Sequence, residues 1–129
     1  MVAVHDVGRL VNPMTASNQV YGGIIQGLGL SGMEARIVDG ETGLQLTSSL
    51  ETYKVAVMVD VPEIAVSVVV RPACEAISIG AKGLGEPPII PTPAVLANAV
   101  SDAMGVRITD LPMTPRRVLD AISEQGAGE

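Results

Sequence analysis

A stretch in which helical periodicity and glycine coincide sets the narrowest limits on this chain. Val20, Tyr21, Ile24, Ile25 and Leu28 recur at the spacing of one helical face, while Gly22, Gly23, Gly27, Gly29 and Gly32 stand among them. Each glycine costs about 0.8–1.0 kcal/mol relative to alanine in a helix interior. Together they cost on the order of 4 kcal/mol, a large fraction of a domain's stability. Something must offset that. Gln26 has glycine at i−4, i−3 and i+3, its nearest neighbours on a helix surface, so bare backbone surrounds one amide. Either a helix or strand of the same fold packs on that patch, or another body approaches it and receives hydrogen bonds from Gln26.

The rest of the chain reads as short strands, turns and two further helices. A strand at Val2 to His5 leads into an irregular Asp6–Pro13 segment, and the long helix follows with Thr15 or Ser17 as its cap. Arg36–Val38 and Leu44–Thr47 flank a turn-rich Asp39–Gly43, a hairpin pattern. Ile64 to Val70 is the clearest strand, with Ile64, Val66, Val68 and Val70 on one face. A second helix starts at Thr92 with Pro93 in its first turn, buries Val95, Leu96, Ala99, Val100 and Ala103, and ends at Gly105. A third is capped by Thr114, opens on Pro115 and packs Val118, Leu119 and Ile122. These elements predict an α+β fold, a small mixed or antiparallel sheet packed against about three helices. One domain is expected over residues 1–124, with a disordered tail at 125–129.

Composition narrows the function classes. Hydrophobic residues make up 47% of the chain and aromatics 2%, with no Phe or Trp, so the core must be aliphatic. A formal charge of −6 and the scarcity of rings exclude phosphate-backbone attraction and base stacking, and nucleic acid is not an expected partner. No run of about 20 apolar residues is present, so no membrane span is expected. The single cysteine, Cys74, cannot form an internal disulfide, reads as a small core thiol and suits a reducing, cytoplasmic compartment. His5 stands alone, and no Cys/His cluster has metal-ligand spacing; no protein-supplied metal ligand is expected. Met1–Val4 enters a strand directly with no leader, as a piece cut from something longer would.

Gly80-Ala81-Lys82-Gly83-Leu84-Gly85-Glu86-Pro87-Pro88 is the second unusual stretch. Its glycines permit geometries that other residues avoid, and Pro87 pushes Glu86 into an extended conformation, so a carboxylate leaves a rigid exit at a set angle. Leu84, Ile89 and Ile90 are apolar enough to desolvate it and raise its pKa toward the range of a general base. Lys82, four residues away, offers the opposite possibility of an ion pair. A plain surface acid is the bland reading of the same residue. Gly27 to Gly32 also satisfies GxGxxG, but helical periodicity precedes the motif and a hairpin follows it, the reverse of the strand–turn–helix that dinucleotide binding requires.

Asp6-x-Gly8-x-x-x-Asn12-Pro13, then Gly22 to Gly29, then Thr52-Tyr53-Lys54, then Lys82-Gly83-x-Gly85-Glu86-Pro87-Pro88 before the Pro93-Ala94 helix: in this order the chain resembles the C-terminal region of the molybdopterin-binding subunit of the xanthine dehydrogenase and aldehyde oxidase family. The likeness runs from about Asp6 to Ile122. It implies that Glu86 is the general base taking a proton from the oxygen nucleophile at molybdenum. It also implies that Gln26 hydrogen-bonds beside the metal, and that Gly27, Lys82, Gly83 and Gly85 line the molybdopterin, which bacterial members commonly carry in a dinucleotide form such as the cytosine one. In the family the metal is held by the pterin's sulfur atoms. The implied substrates are aldehydes or N-heterocycles. The implied partners are the remainder of the molybdenum subunit and the iron–sulfur and FAD parts. Full subunits are several times longer, so the chain alone is expected to hold no cofactor, to be inactive, and to self-associate through surfaces that are internal in the whole. A non-enzymatic ligand-binding or interaction module that keeps the fold is the alternative.

Overall fold

The computed structural model describes residues 1–71 and 78–126. Strand β1 (Val2–Asp6) and strand β2 (Ala65–Val69) pair in parallel, with Val2 opposite Ala65 and Asp6 opposite Val69. Between them in sequence lie helix α1 (Pro13–Gly32) and a short 3-10 turn at Met58–Asp60. After β2 come helix α2 (Thr92–Met104) and helix α3 (Pro115–Gly126). The small sheet and three helices agree with expectation. The strand pairing is parallel, and among the described residues antiparallel pairing is confined to two isolated bridges, Gly8 with Ala81 and Val38 with Gln45. The second bridge is what remains of the expected hairpin.

The cap of α1 is Asn12, not Thr15 or Ser17. Its Oδ1 accepts from the N–H groups of Met14 and Thr15 at 3.0 and 3.2 Å, and Pro13 in the first turn has no N–H to leave unpaired. Helix α2 ends as read, on Gly105 at φ 73°. Helix α3 carries Gln125 and Gly126 in its final turn; residues 127–129 of the expected tail, and Cys74, lie outside the described residues.

Helix α1 packs against α2 and β2. Among the described residues, the buried apolar side chains of Val7, Val20, Ile24, Val106 and Met113 gather around it, with Pro88 and Thr92 enclosed alongside. The N–H of Met113 donates to the Ser31 carbonyl at 2.6 Å and draws the segment after α2 back to the end of α1. Two of the glycines explain how α1 comes so close. A Cβ on Gly23 would lie 2.7 Å from Cβ of Pro88, and one on Gly27 would lie 2.6 Å from Cβ of Thr92. Close packing within the chain therefore offsets part of their helical cost. Gly22 differs, because nothing among the described residues lies within 4 Å of the corresponding point.

A stability contrast follows. Gly22→Ala is expected to stabilise by about 0.8–1.0 kcal/mol, the full helical gain. Gly27→Ala is expected to lose stability, because overpacking costs typically about 1–3 kcal/mol and exceeds that gain. Urea midpoints measured at constant m-value check it; equal shifts in the two variants would contradict the packing account.

The apolar stripes of α2 and α3 are covered less than their spacing predicts. Leu96, Val100 and Val118 are half-buried, whereas Val95, Ala99, Ala103, Leu119 and Ile122 are exposed. Around the 3-10 turn the contrast is sharper, with Met58 89% and Val59 88% exposed. No helix among the described residues is long and apolar enough to cross a membrane.

Candidate functional site

The loop that carries Glu86 is fixed at its entry by the loop that follows β1. Gly8 has φ 63°, and its N–H donates to Asp6 Oδ1 at 3.0 Å, closing a tight turn. The N–H of Arg9 donates to the Gly80 carbonyl at 2.8 Å, and that of Lys82 to the Val7 carbonyl at 3.0 Å. Lys82 Nζ then donates to Asp6 Oδ2 at 2.6 Å. Asp6 thus holds both strands of the clip with one carboxylate. The ion pair open to Lys82 in the sequence is made with Asp6, and none with Glu86 is present among the described residues.

The Lys82 ammonium, followed by the Gly8 N–H, holds the Asp6 carboxyl below the usual carboxylate range. A depressed native value stabilises the fold above the unfolded Asp value of about 3.9 and is lost as the pH falls through the lower native one. Acid titration of the Asp6→Asn variant is therefore expected to show a flatter loss of stability below about pH 4 than the parent. Identical acid limbs would remove Asp6 from the clip's energetics.

The exit of the loop is fixed by its own turn and by α1. The N–H of Ile89 donates to the Glu86 carbonyl at 2.9 Å, and that of Thr92 to the Ile89 carbonyl at 3.1 Å, a run of turns that feeds directly into α2. Pro88 is buried on Gly23, and Thr92 on Gly27. Gln19 Nε2 donates to the Gly85 carbonyl at 2.7 Å, across 66 residues of sequence. Glycine-rich helix and carboxylate loop thus form one packed unit.

Glu86 is exposed within this unit, and so is Ile90 at 76%. The desolvation expected from Leu84, Ile89 and Ile90 is not supplied by these residues as packed here. Gln26 is also exposed. It lies two helical turns after Gln19 and so on nearly the same strip of α1. Gly83 and Gly85 are exposed, and nothing among the described residues lies within 4 Å of a would-be Cβ at either. Gly27 differs, its bare face being filled by Thr92. All six GxGxxG positions, Gly27 to Gly32, lie inside helix α1, which rules out the strand–turn–helix of a dinucleotide site.

Beside the loop, Arg9, Asn12, Thr15, Gln19, Lys82 and Leu84 border an open cleft of about 320 Å³. No group of three or more potential metal-ligating side chains occurs among the described residues. Two contacts escaped sequence reading. Gln19 gives no local signal beyond being polar on a helix. Tyr53, part of the Thr52-Tyr53-Lys54 motif, donates its hydroxyl to Glu34 Oε2 at 2.6 Å, and this bond raises the phenol's pKa. It ties the 50s segment to the end of α1.

Residues 1–62 match the molybdopterin cofactor-binding domain family. The xanthine dehydrogenase molybdenum-binding subunit of Escherichia coli is 40% identical over 117 residues, which is 91% of this chain and 15% of that protein. The aldehyde oxidoreductase molybdenum-binding subunit of the same species is 36% identical over 96% of this chain and 17% of its own length. Among solved structures, quinoline 2-oxidoreductase from Pseudomonas putida superposes with a TM-score of 0.87 at 34% identity, covering 95% of this chain and 16% of the other. The chain therefore spans about one sixth of the relatives it matches.

Proposed function

Because the chain belongs to the xanthine dehydrogenase and aldehyde oxidase family, where it matches part of the molybdopterin-binding subunit, we propose that it supplies the general base and one wall of the cofactor pocket of a molybdenum hydroxylase. One observation carries the reading: α1 and the Glu86 loop are packed through Gly23 on Pro88 and Gly27 on Thr92, while Gln26, Gly83, Gly85 and Glu86 stay exposed beside that seam.

The residues present fit a pterin. Gly83 and Gly85 leave backbone accessible to a flat ligand, and Gln26 offers a donor and an acceptor to its amide-like edge. Gly27 keeps α1 close to Thr92 and so sets the depth of this wall. Lys82, held by Asp6, fixes where the loop begins. When bound, the molybdenum cofactor would supply the oxygen nucleophile and take up the two electrons of the C–H bond that breaks in an aldehyde or N-heterocycle substrate. Glu86 would accept the proton that the nucleophile gives up. The remaining sides of the pocket come from the rest of the molybdenum subunit. Its packing covers the open apolar stripes of α2 and α3 and the exposed Met58 and Val59, and supplies the desolvation that Glu86 needs for efficient proton abstraction. Iron–sulfur and flavin parts complete electron removal. The decisive experiment is exchange of the Glu86 carboxylate for an amide in the complete protein, with metal content and turnover measured together.

A further inference from the structure

We infer that Gln19 is a positioning residue for Glu86, holding through its carboxamide the peptide unit from which that residue departs. The inference rests on Glu86 being the base. Glu86 sits between two anchored carbonyls. Its own accepts from the N–H of Ile89 at 2.9 Å, and the preceding one, of Gly85, accepts from Gln19 Nε2 at 2.7 Å. The first anchor belongs to the turn itself and would survive any change in α1. The second is the only bond to Gly85 from a distant element among the described residues.

Gly85 needs such a bond. Nothing among the described residues lies within 4 Å of a would-be Cβ at Gly83 or Gly85, so their side-chain packing does not limit rotation of this stretch. The clip at Asp6 and Lys82 fixes the loop three residues earlier, and Pro88 fixes it three residues later. Rotation of the Gly85–Glu86 peptide between those points would swing the carboxylate, and the amide of Gln19 opposes that rotation. Its own placement is rigid, on the second turn of a helix capped by Asn12 and one turn before Gly23, which rests on Pro88. Gln19 therefore acts on the reaction through the backbone of Glu86.

The test uses the complete molybdenum-binding protein with three variants. Gln19→Met keeps the length and apolar stem but removes the donor; Gln19→Lys keeps a donor long enough to reach the Gly85 carbonyl; Glu86→Gln removes the base. Gln19→Met is expected to lower kcat about tenfold, as a small displacement of a reacting group does, with KM within about twofold and molybdenum and pterin content unchanged. The lysine variant is expected to recover most of the loss. Crystallographic displacement factors of the Gly85–Glu86 peptide, scaled to those of α1, are expected to rise in the methionine variant and to stay near parental in the lysine variant, a readout independent of turnover. Placed on Glu86→Gln, the methionine change is expected to cost nothing further. An unchanged Gly85–Glu86 peptide in Gln19→Met overturns the inference, and so does loss of cofactor with the loop unperturbed, which would make Gln19 a ligand contact. Should Glu86→Gln itself turn over normally, the reading of Glu86 as base falls, and the displacement measurement still decides whether Gln19 holds the loop.

Discussion

Glu86→Gln in the complete enzyme is expected to lower turnover by about 10²–10⁴, the range for loss of a positioned general base, while leaving molybdenum content and melting temperature near parental values. The separation of these effects comes from how the residue is held. Its placement depends on backbone bonds, Ile89 N–H to its carbonyl and Gln19 to the preceding one, and on Pro88 packed against Gly23. The carboxylate itself makes no hydrogen bond or ion pair among the described residues and is exposed. Glutamine preserves size and the backbone bonds, and it leaves no charge to bury where the rest of the subunit desolvates the position, so the structural change is small. Only the ability to accept a proton is removed. Near-normal turnover would take Glu86 out of the chemistry, and loss of metal together with turnover would make it a structural residue of the pocket.

How far the sequence could be read depended on the range of the interactions involved. The start of α2 at Thr92 and its end at Gly105 were legible because both are local backbone signals. The cap of α1 was misplaced by three residues or more although Asn12-Pro13 carries a cap followed by a favoured first-turn proline; the pair was read as a turn instead. Strand β2 was found to within a residue at each end, but alternation says nothing about direction, and the parallel pairing of Val2 with Ala65 joins residues 63 positions apart.

The site shows the same division. Glu86 and Gln26 stand out because glycine and proline around them break local rules. Their burial was not legible, since desolvation depends on what packs over Leu84, Ile89 and Ile90. Gln19 was invisible because its role is one long-range bond to Gly85. The glycine cluster had two meanings that composition could not separate. Gly23 and Gly27 serve packing on Pro88 and Thr92, and Gly22 faces open space.

The largest stability loss is expected at a glycine outside that cluster, where Gly8→Ala meets two obstacles at once. The residue sits at φ 63°, a left-handed conformation costing an L-residue about 1–2 kcal/mol. Its Cβ would also lie 2.5 Å from the Gly80 carbonyl oxygen and 3.1 Å from the Lys82 nitrogen. Neither atom is the end of a flexible side chain, so relief requires opening the clip and giving up the Arg9-to-Gly80 and Lys82-to-Val7 backbone bonds. Strain of about 1–2 kcal/mol and two bonds of about 0.5–1.5 kcal/mol each combine to a loss of about 2–5 kcal/mol. Gly43→Ala separates the terms, because Gly43 has φ 71° and nothing among the described residues within 4 Å of a would-be Cβ, leaving backbone strain alone. Urea unfolding is expected to place Gly43→Ala about 1–2 kcal/mol below the parent and Gly8→Ala well below that. Because the same clip fixes the entry of the Glu86 loop, Gly8→Ala is also expected to lower kcat in the complete enzyme at temperatures where the variant remains folded. Equal destabilisation of the two variants would mean that the Gly80 carbonyl moves aside freely and that the Asp6–Lys82 clip does not hold the loop in place.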